Sequence, residues 1–240
     1  MKSFSITDVG KKRQINQDYV FCSEKPIGGL PNLFIVADGM GGHNAGDFAS
    51  RFCVEVFTEQ IKQIEDKTPI GMIAQAIEYT NHLLIDKATS DEDLKGMGTT
   101  FVVATIIDNI MYVANVGDSR LYVLKDSIKQ ITEDHSLVEE MVKTGEIERN
   151  EVRFHPNKNI ITRALGANRV LVPDYFEVNL EENHIILMCS DGLSNMVEDE
   201  IIMSTIKEHS DNIEAAARSL VNQANENGGK DNISIVIVKM

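Results

Sequence analysis

A chain of 240 residues, 42% hydrophobic and 25% charged, has ordinary globular composition and enough apolar material for a sizeable core. Its 37 acidic against 23 basic side chains leave a net charge of −14, which repels nucleic acid and anionic membranes and argues against a phosphate-backbone binder. No apolar run approaches the ~20 residues of a membrane span, and residues 1–20 lack the apolar centre of a signal peptide, so a cytoplasmic protein with no membrane and no nucleic-acid partner is expected.

Strand-like runs come first, at 4–9, 18–23 and 32–38. Two helical stripes follow at three-to-four spacing: Phe48, Phe52, Val56, Phe57, Ile61 and Ile64, then Ile70, Ile73, Ala74, Ile77, Leu84 and Ala88. Both read as core faces. Strands return at 99–107, 110–116 and 119–124, and Asp108-Asn109 between the first two reads as a tight hairpin turn. A helix is expected over 136–143. The polar stretch 145–160, with His155, Pro156 and Asn157, reads as a mobile loop or flap. Strands at 175–180 and 184–190, helices at 198–208 and 212–226, and a strand at 233–239 complete the chain.

Hairpin-like neighbours outnumber strand–helix–strand alternation. The expected class is therefore α+β, with antiparallel sheets packed together and covered by helices. No linker or repeat divides the chain, so one domain over 1–240 is expected. Cys22, Cys53 and Cys189 lie far apart in apolar runs and read as buried reduced thiols.

Five aspartates sit where strands begin or end: Asp18, Asp38, Asp118, Asp191 and Asp231. Each alone is an ordinary turn residue. As a set, they repel one another unless something positive lies among them. Oxygen donors without a His or Cys cluster favour Mg²⁺ or Mn²⁺ over Zn²⁺, and Ca²⁺ stays an alternative. Arg13, five residues before Asp18, is shaped for phosphate oxygens, although by itself it reads first as a surface ion pair. Other hydrolase signatures are absent: there is no GxxxxGK[ST], HExxH or GxSxG. GDSR (117–120) lacks a suitably spaced Asp–His partner, so Ser119 is not read as a nucleophile.

The motifs GKKRQINQD, VADGMGGHNAG, MGTTFVVATI, VANVGDSRLYVL, EDHS, ITRALG, MCSDGLSNMV and GKDNISIVIV follow one another over nearly the whole chain. Together they resemble the metal-dependent serine/threonine protein phosphatases, the PPM or type 2C family, in its bacterial branch. The resemblance implies a β-sandwich of two antiparallel sheets flanked by helix pairs. It implies hydrolysis of phosphoserine and phosphothreonine monoesters by a metal-activated water. Two core Mn²⁺ or Mg²⁺ ions and a weaker third are implied, with phosphorylated proteins, products of a serine/threonine kinase, as substrates; a monomer is the default expectation for the chain.

By the same resemblance, Asp38 bridges two metals and the Gly39 carbonyl reaches one of them. Asp191 and Asp231 complete the first site, and Asp118 with Asp191 holds the third ion. Asp18 orients water behind the ligands, Arg13 grips the phosphate and Asn232 supports Asp231. Two positions depart from the family: Gln17 stands where many members carry a glutamate, and Met40 where eukaryotic members carry a histidine. His43 is then the nearest candidate general acid, with a structural role in the loop as its alternative. A catalytically dead module that binds phosphoprotein or metal is the competing class, and the full aspartate set weighs against it.

Overall fold

The computed structural model describes residues 1–42, 45–65 and 68–240. In chain order it contains β1 (Lys2–Asp8), β2 (Asp18–Ser23), β3 (Leu33–Met40), α1 (Ala45–Ile61), α2 (Pro69–Ser90), β4 (Gly98–Thr99), β5 (Phe101–Ile107), β6 (Ile110–Val116), β7 (Arg120–Leu124) and β8 (Ile128–Gln130). There follow α3 (Leu137–Thr144), β9 (Asp174–Asn179), β10 (Ile185–Cys189), α4 (Asp191–Ser194), α5 (Asp199–Glu208), α6 (Ile213–Glu226) and β11 (Ile233–Lys239). Short 3₁₀ turns lie at Glu92–Leu94 and Arg149–Phe154.

The strands form two antiparallel sheets. One runs β1-β11-β10-β7-β8; the other runs β2-β3-β5-β6-β9, with β4 paired to β3. The period of two along each central strand sorts its side chains between layers. In β3, Leu33, Ile35 and Ala37 pack under α1 and α2, while Phe34 and Val36 enter the space between the sheets. In β11, Ile233, Ile235 and Ile237 face α4–α6, and Val236 and Val238 point inward. These strands are therefore apolar on both faces, which is why their sequences are continuous apolar runs rather than alternating ones. The result is a four-layer arrangement with three apolar clusters, matching the expected α+β sandwich.

Local signals explain the joins. Asp108 and Asn109 both take positive φ (49° and 64°), the geometry a two-residue turn needs to match strand twist. Ser136 caps α3 by accepting from the Glu139 N–H, and Gly145 ends it with φ 76°. Some expectations are corrected. Cys53 and Cys189 are buried, but Cys22 is half-buried, its Sγ 3.2 Å from Ser3 Oγ on an edge strand. Ile64 lies beyond the end of α1, and the deepest stripe of that helix is Ala49, Cys53, Phe57 and Ile61. The 145–160 stretch is not wholly irregular, because Glu148 and Glu151 close a reciprocal cap at the start of its 3₁₀ turn.

Antiparallel pairing brings the five aspartates to one end of the sandwich. Asp18, at the start of β2, pairs directly with Asp38 near the end of β3. β6 ends, and β7 begins, on either side of Asp118. β10 ends next to the start of β11, flanked by Asp191 and Asp231.

Candidate active site

Each aspartate is held by a different device. The Asp38 backbone is clamped from β4–β5: its N–H donates to Thr100 Oγ1 at 2.9 Å, and its carbonyl accepts from Thr100 N–H and Thr99 Oγ1, both at 2.9 Å. Next to it, Gly39 and Gly46 meet so closely that a Cβ on Gly39 would stand 2.0 Å from the Gly46 carbonyl. A Cβ on Gly46 would stand 2.8 Å from the Gly39 carbonyl oxygen and 2.7 Å from the Gln17 side chain. Glycine at both positions is what lets α1 start against the strand end.

Asp18 accepts from Ser190 Oγ at 2.7 Å. Asp191 opens α4 and accepts from Asn195 Nδ2 at 2.9 Å. A Cβ on Gly192 would meet the Asn232 carbonyl at 1.9 Å, so α4 presses directly on the start of β11 and sets Asp191 beside Asp231. Asp118 follows Gly117, whose φ is +107°, and is 7% exposed.

The electrostatics are those of crowded carboxylates. Burial raises Asp18 to about 7, against the pull of the Ser190 and Ser234 hydroxyls. Burial, followed by the Asp231 charge, raises Asp191 to about 6. Asp38 and Asp118 are pushed well above the usual carboxylate range, first by burial and then by neighbouring aspartates. Three of these side chains carry a buried oxygen with no hydrogen-bond partner: Asp18 Oδ1, Asp118 Oδ1 and Asp191 Oδ1. Buried unsatisfied acceptors are rare and call for an explanation.

A divalent cation supplies one, since it both satisfies the oxygens and removes the repulsion. Among the described residues no three His, Cys, Asp or Glu side chains close into a complete ligand set. Mg²⁺ keeps several of its waters, so protein oxygens fill only part of its shell. The all-oxygen donor set fits Mg²⁺ or Mn²⁺.

Arg13 lies across the rim and donates to Asp231 Oδ2 at 2.8 Å, with half of its side chain exposed. Its loop is tied down by Asn232. The Asn232 Nδ2 donates to the carbonyls of Val9 and Ile15 at 2.9 and 3.0 Å, and its Oδ1 accepts from Gln17 N–H at 2.8 Å. His43 lies outside the described residues. Asp118 and Asp191 open onto a cavity of about 450 Å³, whose far side is formed by Arg149, Arg153, Phe154 and Lys158 of the 145–160 segment. Arg153 donates to the Ser194 and Asn195 carbonyls at the end of α4, and pairs with Glu198 at 2.9 Å.

Sequence reasoning missed Ser190, Asn195 and Thr100. Ser190 had a weak local signal as the N-cap position before a short helix, and Asn195 lies only four residues from Asp191, whereas Thr100 acts through a partner 62 positions away. Ser119 is fully buried, its Oγ 2.7 Å from Thr100 Oγ1, which agrees with its rejection as a nucleophile.

Comparison with known proteins accounts for this arrangement. The family model described as Protein phosphatase 2C matches residues 28–233. The serine/threonine phosphatase stp of Listeria innocua serovar 6a is 38% identical over 242 residues, covering 97% of this chain and 93% of that protein. The solved serine/threonine phosphatase of S. agalactiae superposes with a TM-score of 0.92 at 33% identity, covering 100% of this chain and 99% of that one. The catalytic domain of the serine/threonine protein phosphatase PstP, solved in complex with two manganese ions, has a TM-score of 0.86 at 29% identity, covering 98% of this chain and 96% of that one. The chain therefore belongs to the protein phosphatase 2C family, the metal-dependent serine/threonine phosphatases that its motifs resemble.

Proposed function

We propose that this phosphatase hydrolyses phosphoserine and phosphothreonine monoesters using Asp38, the Gly39 carbonyl, Asp191 and Asp231 as donors to two Mn²⁺ or Mg²⁺ ions, with Asp118 and Asp191 holding a weaker third. The observation that carries this reading is the convergence of five aspartates at one sandwich end, three of them with an unpartnered buried oxygen. When bound, such ions supply an activated water and neutralise charge on the phosphoryl oxygens. Asp18, fixed by Ser190, orients that water through its remaining oxygen. Arg13 exchanges its exposed contact with Asp231 for the phosphoryl oxygens, which its planar fork matches. Asn232 keeps the Arg13 loop in place for this exchange. His43 is the proposed proton donor to the leaving hydroxyl.

The same reading takes 1–240 as one catalytic domain, with 145–160 as a flap that influences substrate choice. It describes a cytoplasmic monomer acting on proteins phosphorylated by a serine/threonine kinase. Among the described residues no helix is long and apolar enough to cross a membrane.

The test is release of phosphate from a phosphothreonine peptide with Mn²⁺, Mg²⁺, Ca²⁺ or chelator. Turnover is expected with Mn²⁺ or Mg²⁺ and lost in chelator. Asp38→Asn is expected to lose most activity while keeping its circular dichroism spectrum. Near wild-type turnover by that variant overturns the site assignment, and trapping a phosphorylated enzyme overturns the direct attack by water.

A further inference from the structure

Two motifs that the phosphate chemistry does not use, EDHS (133–136) and ITRALG (161–166), meet behind the turn that presents Asp118. His135 is 4% exposed. Its Nδ1 accepts from Gly117 N–H at 3.1 Å, and its own backbone N–H donates to the Gly117 carbonyl at 3.0 Å. Its Nε2 stands 3.1 Å from Asp174 Oδ2. Arg163 Nη1 lies 3.1 Å from the same Nε2 and donates to Asp174 Oδ1 at 2.9 Å. Thr162 N–H donates to the His135 carbonyl at 2.8 Å, so the second motif holds the first in place.

The Gly117 N–H decides the tautomer, because a cation and a carboxylate both border Nε2 whereas Nδ1 faces a backbone donor. A ring nitrogen that accepts from a backbone N–H carries no proton, so neutral His135 bears its proton on Nε2 and donates it to Asp174. The Arg163 cation balances the Asp174 carboxylate. Burial outweighs Asp174 and holds His135 below the usual histidine range, in keeping with a neutral ring.

The turn that His135 grips has little else to direct it. Gly117 adopts φ +107°, and a Cβ there would strike Thr100 at 2.6 Å, so the conformation is both unusual and confined. Asn115 Nδ2 donates to the Gly117 carbonyl at 3.2 Å, and Thr100 meets Ser119 on the other flank. Asp118 Oδ1 has no hydrogen-bond partner of its own. The direction of its carboxylate is therefore set by its neighbours in the turn.

We propose that His135 is a positioning residue for Asp118: as the Nε2–H tautomer oriented by Asp174, it clamps the Gly117 turn through Nδ1 and holds the Asp118 carboxylate facing Asp191. This rests on the reading of Asp118 as a metal-site residue. It gives the EDHS and ITRALG motifs one shared task behind the metal site, of the kind that outer-shell partners perform for metal ligands.

The first experiment is ¹⁵N NMR of the His135 ring in the metal-free wild-type chain, which needs no variant to fold. An unprotonated Nδ1 and a protonated Nε2 at neutral pH are expected; a protonated Nδ1 overturns the clamp. The second compares two amides. His135→Asn places an oxygen where Nδ1 sits and keeps the acceptor for Gly117, whereas His135→Gln reaches toward Asp174 and leaves the Gly117 N–H unmet. At limiting Mn²⁺, His135→Gln is expected to lose about 10–100-fold in activity, with a higher Mn²⁺ midpoint and faster Gly117 amide exchange. His135→Asn is expected to recover most of all three. Equal losses in the two variants, or none in either, overturn the proposal. Asp118→Asn is the control: if it leaves activity and the Mn²⁺ midpoint intact, the metal-site reading fails, while the tautomer and Gly117 exchange still judge the clamp.

Discussion

Asp38 shows how function and stability oppose each other at one side chain. In the metal-free protein its carboxyl is buried against Asp18, Asp191 and Asp118, which disfavours its charge. Asp38→Asn removes that conflict at the same volume. It should therefore raise the melting temperature in chelator, by about 2–4 °C for each kcal/mol relieved in a chain of this size, while abolishing turnover. A lower melting temperature would mean that Asp38 is a net structural contributor. Gly192 makes the opposite point. Its missing Cβ lets α4 touch the Asn232 carbonyl, a contact no side chain can share. Gly192→Ala should cost on the order of 3 kcal/mol in urea unfolding and lower metal affinity with it. Wild-type stability would show that α4 can retreat without cost.

Whole elements divide between those that anchor the aspartates and one that lines the cavity beside them. The central strands β3, β10 and β11 are apolar on both faces and anchor the aspartates at their ends. The 145–160 segment instead faces the cavity beside Asp118 and Asp191 with Arg149, Arg153, Phe154 and Lys158, and rests on α4 through Arg153. On the proposed reading, a small aryl phosphate engages only the aspartate end of that cavity and a phosphopeptide extends along it. Replacing 145–160 with a segment of different charge should therefore change KM for phosphopeptides and leave kcat on the aryl phosphate nearly unchanged. Parallel loss on both substrates would place the segment in the chemistry itself.

Over the whole molecule, the carboxylate cluster makes metal-free stability depend on pH in a direction unlike that of most proteins. Unfolded aspartates lose their protons near 4, while folded Asp18 and Asp191 keep theirs to about 7 and about 6. Between those values the folded state binds more protons, so its stability falls as pH rises from about 4 to about 7. Asp38 and Asp118 act in the same sense. His135, lowered by burial, acts in the opposite sense and loses stability as pH falls below 6.5, and Asp174, Glu24 and Glu181, which the fold holds below their usual range, do the same at the acid end of the window; above about pH 5 the four buried aspartates oppose His135 alone. Urea unfolding in chelator should show this decline, and Mn²⁺ should reverse it most strongly at the higher pH, where fewer protons have to leave. Metal-free stability that rises steadily from pH 4 to 7 would contradict the crowding of the aspartates.

Much of this was legible along the chain because it is written in nearest neighbours. Apolar runs of five to seven residues marked β3, β5 and β11, Asp108-Asn109 marked its hairpin, and aspartates at strand ends marked the candidate ligands. Such patterns follow from backbone periods and turn sterics, which act over a few residues. What the chain did not disclose depends on which strand ends meet. Ser190 reaches Asp18 across 172 positions and Asn232 reaches Gln17 across 215. Gly117 finds its acceptor on His135, and Cys22 is left half-buried by an edge that an apolar run does not reveal. Residue types and local order determined the fold class and the chemistry. Only the closure of two sheets decided how the carboxylates are oriented and which are left without a partner, because a hydrogen bond requires two atoms within about 3 Å and no local rule brings distant residues that close.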